Sequence, residues 1–457
     1  MEYDFDLISI GSGSAGRRIA VALRNRGWKT AVVELNTDEH FGGTCICSGC
    51  IPTKSLLVKS QETDDLREIY AFKDNVVEKI RKGTLKHVTD RIGATVINGL
   101  GRLVDDHTID VNGVKYTSDI IVLATGSEPI IPPISNIENV KYQTSADLLK
   151  IDELPQTLLI IGGGRIGIEF ALIFHNMGSN VVIFEGTDYL LPGEDKEISD
   201  DIKSDLISKG ITIFTGKFVD SVSESIIDGK TKFQVNLDSG PNKGEYTGDA
   251  LLVATGRKAR VNQLNLDEVG ILYNHQGIEV NGFLQTSIPN IFAIGDVIGN
   301  PMFTNWASYQ SKIVLENLAK SRNASDQWEV LPQKIIPRIS FSIPEFAAIG
   351  LTEEEAIAKF GDDVVVHKFY NRWLGKSIIN ESTNGYLKGI GIKGSDEIIG
   401  LHIWGDKAGD LIQLGVLAME NDLGWSRLAD LVYGHPVLIE AIYSLSVGML
   451  NQTKLSK

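Results

Sequence analysis

The chain has 457 residues, 42% of them hydrophobic, and a formal net charge of −15. This length predicts two to four domains with real cores, and the acidic balance argues against nucleic acid and anionic membrane as partners, because both require basic surface. No apolar run approaches the roughly 18 residues of a membrane-spanning helix. The acidic start, without a signal peptide, predicts a cytoplasmic protein.

A dinucleotide-binding fingerprint opens the chain. Residues 5–10 predict a buried strand, and a glycine-rich turn, a helical stretch over 17–26 and a second strand over 30–33 follow. The marker residues of this fingerprint are Gly11, Gly13, Gly16 and Glu34. The first glycine makes a tight turn, the second lets the backbone approach a pyrophosphate, the third lets the helix pack on the strand, and the acid accepts hydrogen bonds from a ribose. Strand context and a correctly placed acid favour a bound nucleotide over a turn without a ligand.

Three cysteines, Cys45, Cys47 and Cys50, lie within six consecutive positions and are the only ones in the chain. In a reducing compartment such a cluster is more often catalytic or metal-binding than structural. Pro52 predicts a helix start that places Cys50 at a helix N-terminus, where a thiol pKa is lowered. Structural zinc needs four ligands, and His40 is the only easy fourth, so a redox-active pair is favoured over zinc and over inert burial.

The same pattern repeats in the middle of the chain. Residues 119–126 predict a buried strand ending in an Ala-Thr-Gly turn, and strand 157–161 then leads into a second glycine-rich turn, a helix over 169–177 and strand 181–184. The markers of the second fingerprint are Gly162, Gly164, Gly167 and Glu185. The first glycine and the acid are 23 positions apart in both copies, from 11 to 34 and from 162 to 185. With a second Ala-Thr-Gly turn after 249–253, this spacing implies two nucleotide cofactors.

Glu185 indicates which nicotinamide nucleotide is used. A carboxylate at the end of the second strand accepts from a 2′-hydroxyl and repels a 2′-phosphate. No arginine or lysine occupies positions 185–189, and Arg165 inside the glycine turn gives little support for phosphate recognition. The sequence therefore predicts NAD(H) rather than NADP(H).

The last third of the chain predicts a change of architecture. Residues 290–297 form a buried strand that delivers Asp296 at its carboxyl end, and a helical stretch over 306–320 follows. An α+β tail begins around 329–335. Its predicted strands are 337–342, 364–370, 386–392 and 398–404. A helix over 408–420 is apolar on more than one face, which favours burial at a subunit interface.

Two local patterns stand out in this tail. Thr352 and Glu355 form a capping box that opens a helix. His435 is followed by Pro436, which restricts its backbone to extended geometry, and by Glu440 five residues later. The second pattern fits an acid–base pair, with a surface-loop histidine as the alternative.

The cysteine segment resembles a known active-site signature. Gly42-Gly43-Thr44-Cys45, three further residues and Gly49-Cys50-Ile51-Pro52-Thr53-Lys54 are similar to the signature of the FAD-dependent pyridine nucleotide–disulfide oxidoreductases. The resemblance extends over nearly the whole chain, since both fingerprints, both Ala-Thr-Gly turns, the Asp296 strand and the His435–Glu440 tail belong to it.

This resemblance implies an α/β fold of two doubly wound, Rossmann-like dinucleotide-binding domains plus a C-terminal α+β dimerisation domain. Residues 1–150 and 275–330 would form a discontinuous FAD-binding domain. Residues 151–274 would bind NAD, and residues 335–457 would form the dimerisation domain.

The resemblance also implies roles for individual residues. Cys45 and Cys50 would form the redox-active disulfide, with Cys45 meeting the substrate and Cys50 facing the flavin. His435, held by Glu440 and supplied by the other subunit of a homodimer, would be the acid–base partner of Cys45. The implied FAD-binding residues are Gly11, Gly13, Gly16, Glu34, Gly43, Thr44, Lys54, Gly126 and Asp296. The implied NAD-binding residues are Gly162, Gly164, Gly167, Glu169, Glu185 and Gly256. Lys54 would pair with Glu169, and no metal site is implied.

Electrons would therefore pass from NADH through FAD and the disulfide to a small-molecule disulfide or small oxidant, or in reverse. Dihydrolipoamide dehydrogenase-like activity is the first specific expectation. Cys47 is not typical of the family. Two further features depart from the pattern of that enzyme, namely Tyr433 in place of a second histidine and Phe303-Thr304-Asn305 in place of Leu-Ala-His. We expect Cys47 to be dispensable.

These departures leave two alternatives. The Phe-Thr pair resembles stress flavoproteins that reduce a small oxidant or metal ion, such as hypothiocyanite, Cu(II) or Hg(II). A flavin-bound redox sensor, in which Cys45 and Cys50 switch without turnover, is the alternative that is not an enzyme. The His435–Glu440 pair argues for the enzyme, because a sensor needs no acid–base relay.

Overall fold

The computed structural model describes residues 3–238, 243–322 and 327–454. It divides into two compact units. Unit 1 comprises Met1–Pro132, Gln143–Leu154 and Thr255–Pro332, and unit 2 comprises Pro133–Tyr142, Pro155–Ala254 and Gln333–Lys457. The finer division into FAD, NAD and dimerisation domains stays a prediction. Within the described residues, no helix combines the length and the apolar character needed to cross a bilayer.

The main sheet of unit 1 has a parallel core. Its seven strands are Phe5–Ile10, Thr30–Glu34, Thr95–Asn98, Gly101–Leu103, Thr108–Val111, Val114–Leu123 and Ile291–Ala293. Phe5–Ile10 lies between Thr30–Glu34 and Val114–Leu123 and is parallel to both. Thr95–Asn98 extends the sheet on one side and Ile291–Ala293 pairs with Val114–Leu123, again in parallel. This is the doubly wound arrangement that the first fingerprint predicts.

The first strand is apolar on both faces because both faces of the sheet are covered. Leu7 and Ile8 point to opposite sides and are completely buried. Leu7 packs in a cluster with Ile19 of one helix and Val314 of another, whereas Ile8 packs in a second cluster with Ile109. The carboxyl end of this strand is thereby fixed, and the glycine-rich turn starts there.

Eight α-helices complete the described part of unit 1. They are Ser14–Arg24, Thr37–His40, Gly43–Cys47, Cys50–Lys59, Leu66–Lys86, Ser145–Leu148, Leu266–Val269 and Thr304–Arg322. A two-stranded ribbon pairs Ser127–Pro129 with Arg257–Ala259. Cys50 is the first residue of its helix, with Pro52 in the first turn, as the sequence predicts. The short helix that carries Cys45 and Cys47 is not evident from the sequence.

Unit 2 contains a second parallel sheet. Its order is Thr212–Phe214, Asn180–Phe184, Thr157–Ile161 and Ala250–Val253. The accompanying helices are Arg165–Asn176 and Lys196–Ser208. A three-stranded antiparallel sheet of Ser221–Ile227, Lys230–Leu237 and Gly244–Gly248 precedes the last parallel strand. The repeated fold confirms the repeat seen in the sequence.

The C-terminal part of unit 2 is built on a five-stranded antiparallel sheet. Its order is Arg338–Ser340, Glu345–Gly350, Gly400–Gly405, Tyr386–Ile392 and Val364–Tyr370. Its helices are Glu353–Phe360, Gly375–Ile379, Ala408–Glu420, Trp425–Ala429 and Glu440–Lys454. Trp425, Ile412 and Leu445 pack with the sheet in one buried cluster. The capping box of Thr352 and Glu355 is present as predicted.

Candidate active site

The three glycines of the first fingerprint occupy the positions that their roles require. Gly11 has a φ of +109°, and a Cβ there would lie 2.3 Å from the carbonyl oxygen of Ala124. A Cβ on Gly16 would lie 2.3 Å from the carbonyl oxygen of Gly11, so helix and strand are in direct contact. Gly13 differs, because a Cβ there would meet no atom within 4 Å. The backbone at Gly13 therefore faces open space that a ligand can approach.

Hydrogen bonds from Ser12 and Leu35 hold the carboxylate of Glu34 at this turn. The N–H and hydroxyl of Ser12 donate to Oε2 of Glu34, and the N–H of Leu35 donates to Oε1 at 2.9 Å. The hydroxyl of Ser12 also accepts from the N–H of Gly42 at 2.8 Å, which joins the turn to the cysteine segment. A carboxylate has about four acceptor sites, so Glu34 retains capacity for a ribose.

A cavity of about 800 Å³ lies beside this turn within unit 1. Eight of the predicted FAD-binding or redox residues line it, namely Gly11, Gly13, Glu34, Gly43, Thr44, Cys45, Gly126 and Asp296. Cys47 lines it as well. The adjoining helix, Ser14–Arg24, has no acidic residue in its first turn, so its N-terminus favours an anion such as a pyrophosphate. Size, open backbone at Gly13 and the acceptor Glu34 fit FAD. Gly16, Lys54 and Cys50, which was predicted to face the flavin, are outside the lining, and Gly16 acts through packing.

Asp296, which the sequence predicts as a FAD-binding residue, lines the cavity and has two partners that the sequence did not identify, Ser127 and Arg257. It lies in a short 3₁₀ helix, Gly295–Ile298, because the predicted strand ends early, at Ala293. Ser127 donates its hydroxyl to Asp296 at 2.6 Å, and Arg257 donates to the hydroxyl and the carbonyl of Ser127, both at 2.7 Å. Burial lowers the pKa of Arg257, although Asp296 opposes the change. Arg257 directly follows the second Ala-Thr-Gly turn, which is the signal that could have identified it.

Cys45 and Cys50 are brought together, and their side chains share a hydrogen bond. The hydroxyl of Thr304 lies 3.8 Å from Sγ of Cys50. The hydrogen bond that Cys45 donates to Cys50 and burial raise the pKa of Cys45 well above its ordinary value, while Thr304 and the charge of Lys54 act in the opposite direction. Cys45 is therefore protonated at neutral pH and needs a base to become the reactive thiolate.

Cys47 has a different environment from the other two thiols. Its Sγ donates to the carbonyl oxygen of Phe41 at 3.5 Å. Burial raises the pKa of Cys47 to about 11, Arg81 opposes this and Glu34 adds to it. The charges that act on the Cys47 thiol are therefore those of Arg81 and Glu34, and Glu34 also lines the cavity.

The second fingerprint in unit 2 reproduces the geometry of the first. Gly162 has a φ of +111°, and a Cβ on Gly167 would lie 2.0 Å from the carbonyl oxygen of Gly162. A Cβ on Gly164 would meet no atom within 4 Å. Oε2 of Glu185 accepts from the N–H of Gly163 at 2.6 Å, as Glu34 does from Ser12 in unit 1. The two nucleotide folds therefore share the same local construction.

Arg165 in the second glycine turn is committed to an ion pair. It donates to Glu194, which also accepts from Arg338 at 3.1 Å. Glu194 is buried, and burial raises its pKa even though both arginines oppose the change. The guanidinium of Arg165 is thereby held by a carboxylate of its own unit.

Two of the predicted NAD residues, Glu169 and Gly256, are not part of the second glycine turn. Glu169 is buried, and its Oε1 accepts from the N–H of Phe341 at 3.3 Å. Gly256 belongs to unit 1, where its carbonyl accepts from the N–H of Ile130 at 2.9 Å, whereas the other five predicted NAD residues belong to unit 2. The pairing of Lys54 with Glu169 stays a prediction.

His435 and Glu440 form the contact that their spacing suggests. Nδ1 of His435 lies 2.9 Å from Oε1 of Glu440, and Oε2 of Glu440 accepts from the N–H of Val437 at 2.8 Å. An ionised carboxylate only accepts, so Nδ1 carries the proton and Nε2 of the neutral ring is an acceptor. The side chain of His435 is 79% exposed. The same stretch of the chain also has exposed apolar side chains, namely Leu431, Val432, Val437, Tyr443 and Val447.

Within the described residues, no three or more histidine, cysteine, aspartate or glutamate side chains are grouped so as to hold a metal ion.

Comparison with protein families assigns most of the chain. Residues 5–311 match the family described as pyridine nucleotide-disulphide oxidoreductase. Residues 336–445 match the dimerisation domain of the same family.

Individual relatives span nearly the full chain. A mercuric reductase of Lysinibacillus sphaericus is 31% identical over 96% of this chain and 82% of its own length. A dihydrolipoyl dehydrogenase of Bacillus subtilis (strain 168) is 32% identical over 97% of both chains. The Cu(II) complex of the HOCl-induced flavoprotein disulfide reductase RclA from Escherichia coli has a TM-score of 0.89 at 30% identity, covering 98% of this chain and 99% of that one.

Proposed function

Because this chain belongs to the pyridine nucleotide–disulphide oxidoreductase family, a family of FAD-dependent flavoproteins, we propose that it is an enzyme that moves electron pairs between NAD(H) and a substrate that meets Cys45. The observation that carries this proposal is the hydrogen-bonded pair of Cys45 and Cys50 beside the cavity of the first fingerprint. In the reductive direction the balanced reaction is NADH + H⁺ + RSSR → NAD⁺ + 2 RSH.

FAD would be held by the first fingerprint, Glu34 and Asp296, and when bound it supplies the two-electron relay between a hydride donor and a disulfide. The thiolate of Cys45 attacks one sulfur of the substrate disulfide, the substrate S–S bond breaks, and the departing thiolate takes a proton. The thiolate of Cys50 then attacks Cys45, which re-forms the Cys45–Cys50 disulfide and releases the second substrate thiol.

The proton steps fall to His435. The raised pKa of Cys45 requires a base, and Nε2 of His435 is an exposed acceptor whose ring is oriented by Glu440. Exposed apolar side chains occur at several positions from 431 to 447 in the same stretch of the chain, as expected for a surface that a second subunit covers. The dimerisation-domain match supports a homodimer. We propose that each active site combines Cys45 of one subunit with His435 of the other.

We also propose NAD(H) as the preferred nicotinamide nucleotide. Glu185 would repel a 2′-phosphate, and Arg165 is held by Glu194. We expect kcat/KM to be at least about tenfold higher with NADH than with NADPH, which corresponds to about 1.4 kcal/mol. Glu185→Ser should narrow this ratio. A wild-type preference for NADPH would contradict the proposal.

Dihydrolipoamide dehydrogenase-like activity is the first specific candidate, supported by the match to the dihydrolipoyl dehydrogenase of Bacillus subtilis over both chains. Reduction of a small oxidant or metal ion is the second. The contact of Thr304 with Cys50 favours it, because dihydrolipoamide dehydrogenases commonly have alanine at this place.

A substrate panel tests these assignments. Initial rates of NADH oxidation are measured with lipoamide, glutathione disulfide, hypothiocyanite and Cu(II), with Cys45→Ser as the control. Turnover of at least one of these that is lost in the control supports the enzyme. NADH-reducible flavin without turnover of any of them would favour the redox sensor.

A further inference from the structure

Arg257 is a half-buried cation that lies behind the wall of the cavity that fits FAD. Ser127 and Asp296 line this cavity, whereas Arg257 does not. Nε of Arg257 lies 2.7 Å from the hydroxyl oxygen of Ser127, and a terminal nitrogen of the same guanidinium lies 2.7 Å from the carbonyl oxygen of Ser127. Arg257 therefore acts on the cavity through Ser127.

The chemistry of the groups fixes the direction of these hydrogen bonds. A guanidinium only donates, so the hydroxyl oxygen of Ser127 accepts from Arg257. The single hydroxyl proton of Ser127 is then available to Oδ2 of Asp296, which lies 2.6 Å away. Ser127 binds only one of the two carboxylate oxygens, so Oδ1 of Asp296 can accept from a ligand in the cavity. The orientation of the carboxylate thus depends on Arg257.

A braced ribbon holds Arg257 in this place. Strand Arg257–Ala259 pairs antiparallel with strand Ser127–Pro129. Thr125 and Thr255 belong to the two Ala-Thr-Gly turns. Each donates its hydroxyl to the backbone carbonyl that directly follows the opposite strand, at 2.8 and 2.9 Å. The two turns therefore secure both ends of the ribbon that carries Ser127 and Arg257.

The charge of Arg257 also acts on one of the two paired cysteines. Burial lowers the pKa of Arg257, and Asp296 and Cys50 are among the neighbours that favour its charged form. The interaction between two charges is mutual, so the guanidinium favours the thiolate of Cys50. Cys50 does not line the cavity, but its Sγ lies 3.8 Å from the hydroxyl of Thr304, which does.

We propose that Arg257 is a positioning residue with two effects on the electron path. Through Ser127 it holds the carboxylate of Asp296 for FAD, and its positive charge stabilises the thiolate of Cys50. This inference rests on the proposed function and deepens it, because one cation outside the cavity would set both the cofactor contact and the ionisation of the thiol.

A spectroscopic titration tests the effect on Cys50 without turnover. In the holoenzyme carrying Cys45→Ser and Cys47→Ser, Cys50 is the single thiol. A thiolate against an oxidised flavin gives a long-wavelength charge-transfer absorbance, and its pH midpoint reports the ionisation of Cys50. We expect Arg257→Gln to raise this midpoint by about one pH unit, a tenfold change worth about 1.4 kcal/mol. Arg257→Lys keeps the charge and should stay within about 0.3 unit. Excess FAD in every sample keeps variants of weakened affinity saturated.

A neighbouring lysine provides the control for net charge. Lys258 is exposed beside Arg257 and pairs with Glu128 near the surface. Lys258→Gln makes the same change in net charge as Arg257→Gln and should leave the midpoint within about 0.3 unit. Equal midpoints for the two glutamine variants would overturn the proposed effect on Cys50.

The release of FAD from the holoenzyme tests the effect on Asp296. Flavin fluorescence on dilution gives the dissociation constant. Ser127→Ala removes the hydroxyl between Arg257 and Asp296 but keeps the positive charge. We expect it to weaken FAD binding about tenfold, or about 1.4 kcal/mol, and to leave the thiolate midpoint within about 0.3 unit. Arg257→Gln should change both quantities.

The outcomes are separable. If Ser127→Ala binds FAD as tightly as the unsubstituted protein, or shifts the midpoint as far as Arg257→Gln does, the proposal is wrong. Should Arg257→Gln not fold, the split in Ser127→Ala between weakened FAD and an unchanged midpoint decides. If no long-wavelength absorbance forms at any pH, Cys50 does not meet the flavin and the proposed function fails, whereas the FAD affinities still decide the role of Arg257 at Asp296.

Discussion

A completely buried lysine in unit 2 offers a sharp test of how the second nucleotide fold is joined to the C-terminal sheet. Lys388 lies in that sheet and donates to both oxygens of Asp195, at 2.8 and 2.9 Å. Asp195 is also completely buried and is the N-cap of helix Lys196–Ser208. Glu353 at 2.6 Å and Glu197 at 3.1 Å complete the ring of carboxylates around the ammonium.

Lys388→Met keeps the length of the side chain and removes its charge. Asp195 is then left buried with two weak backbone donors, the N–H of Ile198 at 3.3 Å and the N–H of Glu353 at 3.2 Å. Removing one partner of a buried ion pair costs about 3–5 kcal/mol. For a domain of about 150–250 residues, 1 kcal/mol lowers Tm by about 2–4 °C, so we expect a loss of about 6–20 °C.

The pH dependence of this loss has a definite sign. Burial raises the pKa of Asp195, but the hydrogen bonds from Lys388 lower it, and the net effect is a lowered pKa. The native protein keeps this stabilisation above the pKa of an unfolded aspartate and loses it as the pH falls through the lowered pKa. In Lys388→Met the lowering by Lys388 is lost, so that burial is opposed only by His402 and the backbone N–H of Glu353 and the pKa of Asp195 should rise. Protonation of Asp195 then removes the unpaired buried charge. The difference in Tm between Lys388→Met and the unsubstituted protein should therefore be smaller at pH 4 than at pH 7.

Calorimetric melting at both pH values provides the assay. Lys368→Met is the matched control, because Lys368 pairs with Glu197 near the surface and such pairs contribute about 0–1 kcal/mol. A Tm for Lys388→Met within about 2 °C of this control would refute the reasoning, and so would a deficit that grows on acidification.

Three further outcomes follow from the thiol and histidine geometry. Cys47→Ser should leave NADH-dependent turnover within about twofold, whereas Cys45→Ser should abolish it, as judged by steady-state rates. Thr304→Val removes a hydroxyl that lowers the pKa of Cys45, so the pH profile of Cys45 alkylation should shift to higher pH. Glu440→Gln should lower kcat at least about tenfold, because His435 loses the carboxylate that orients it. A backbone N–H and His435 lower the pKa of Glu440, so the deficit should persist through the neutral range and narrow only at acid pH.

The nucleotide folds could be predicted from sequence because their signals are local. The tight turn at Gly11 and the helix packing at Gly16 depend on residues within a few positions of each other. The helix start at Cys50 is set by Pro52 two residues later. The contact of His435 with Glu440 is set by a spacing of five residues and a turn. In each case the residue type constrains its own backbone.

The parts that were missed depend on contacts between distant positions. Arg257 and Thr304 lie more than 200 residues from Cys50, and only the folded chain brings Thr304 to that thiol. Strand Glu345–Gly350 contains two alanines and a terminal glycine, so local propensity gives little sign of a strand. It forms because strands on both sides pair with it. Helix Glu440–Lys454 was missed although its buried residues repeat with helical spacing.

The central claim is that Cys45 and Cys50, and not Cys47, carry the electrons. The most direct measurement is an anaerobic thiol count on the denatured protein before and after one equivalent of NADH, with alkylation sites mapped by mass spectrometry. We expect one thiol per chain, Cys47, in the oxidised enzyme, and three after reduction, with the two new ones at Cys45 and Cys50. Appearance of a new thiol at Cys47, or no gain in thiols while the flavin is reduced, would contradict the account.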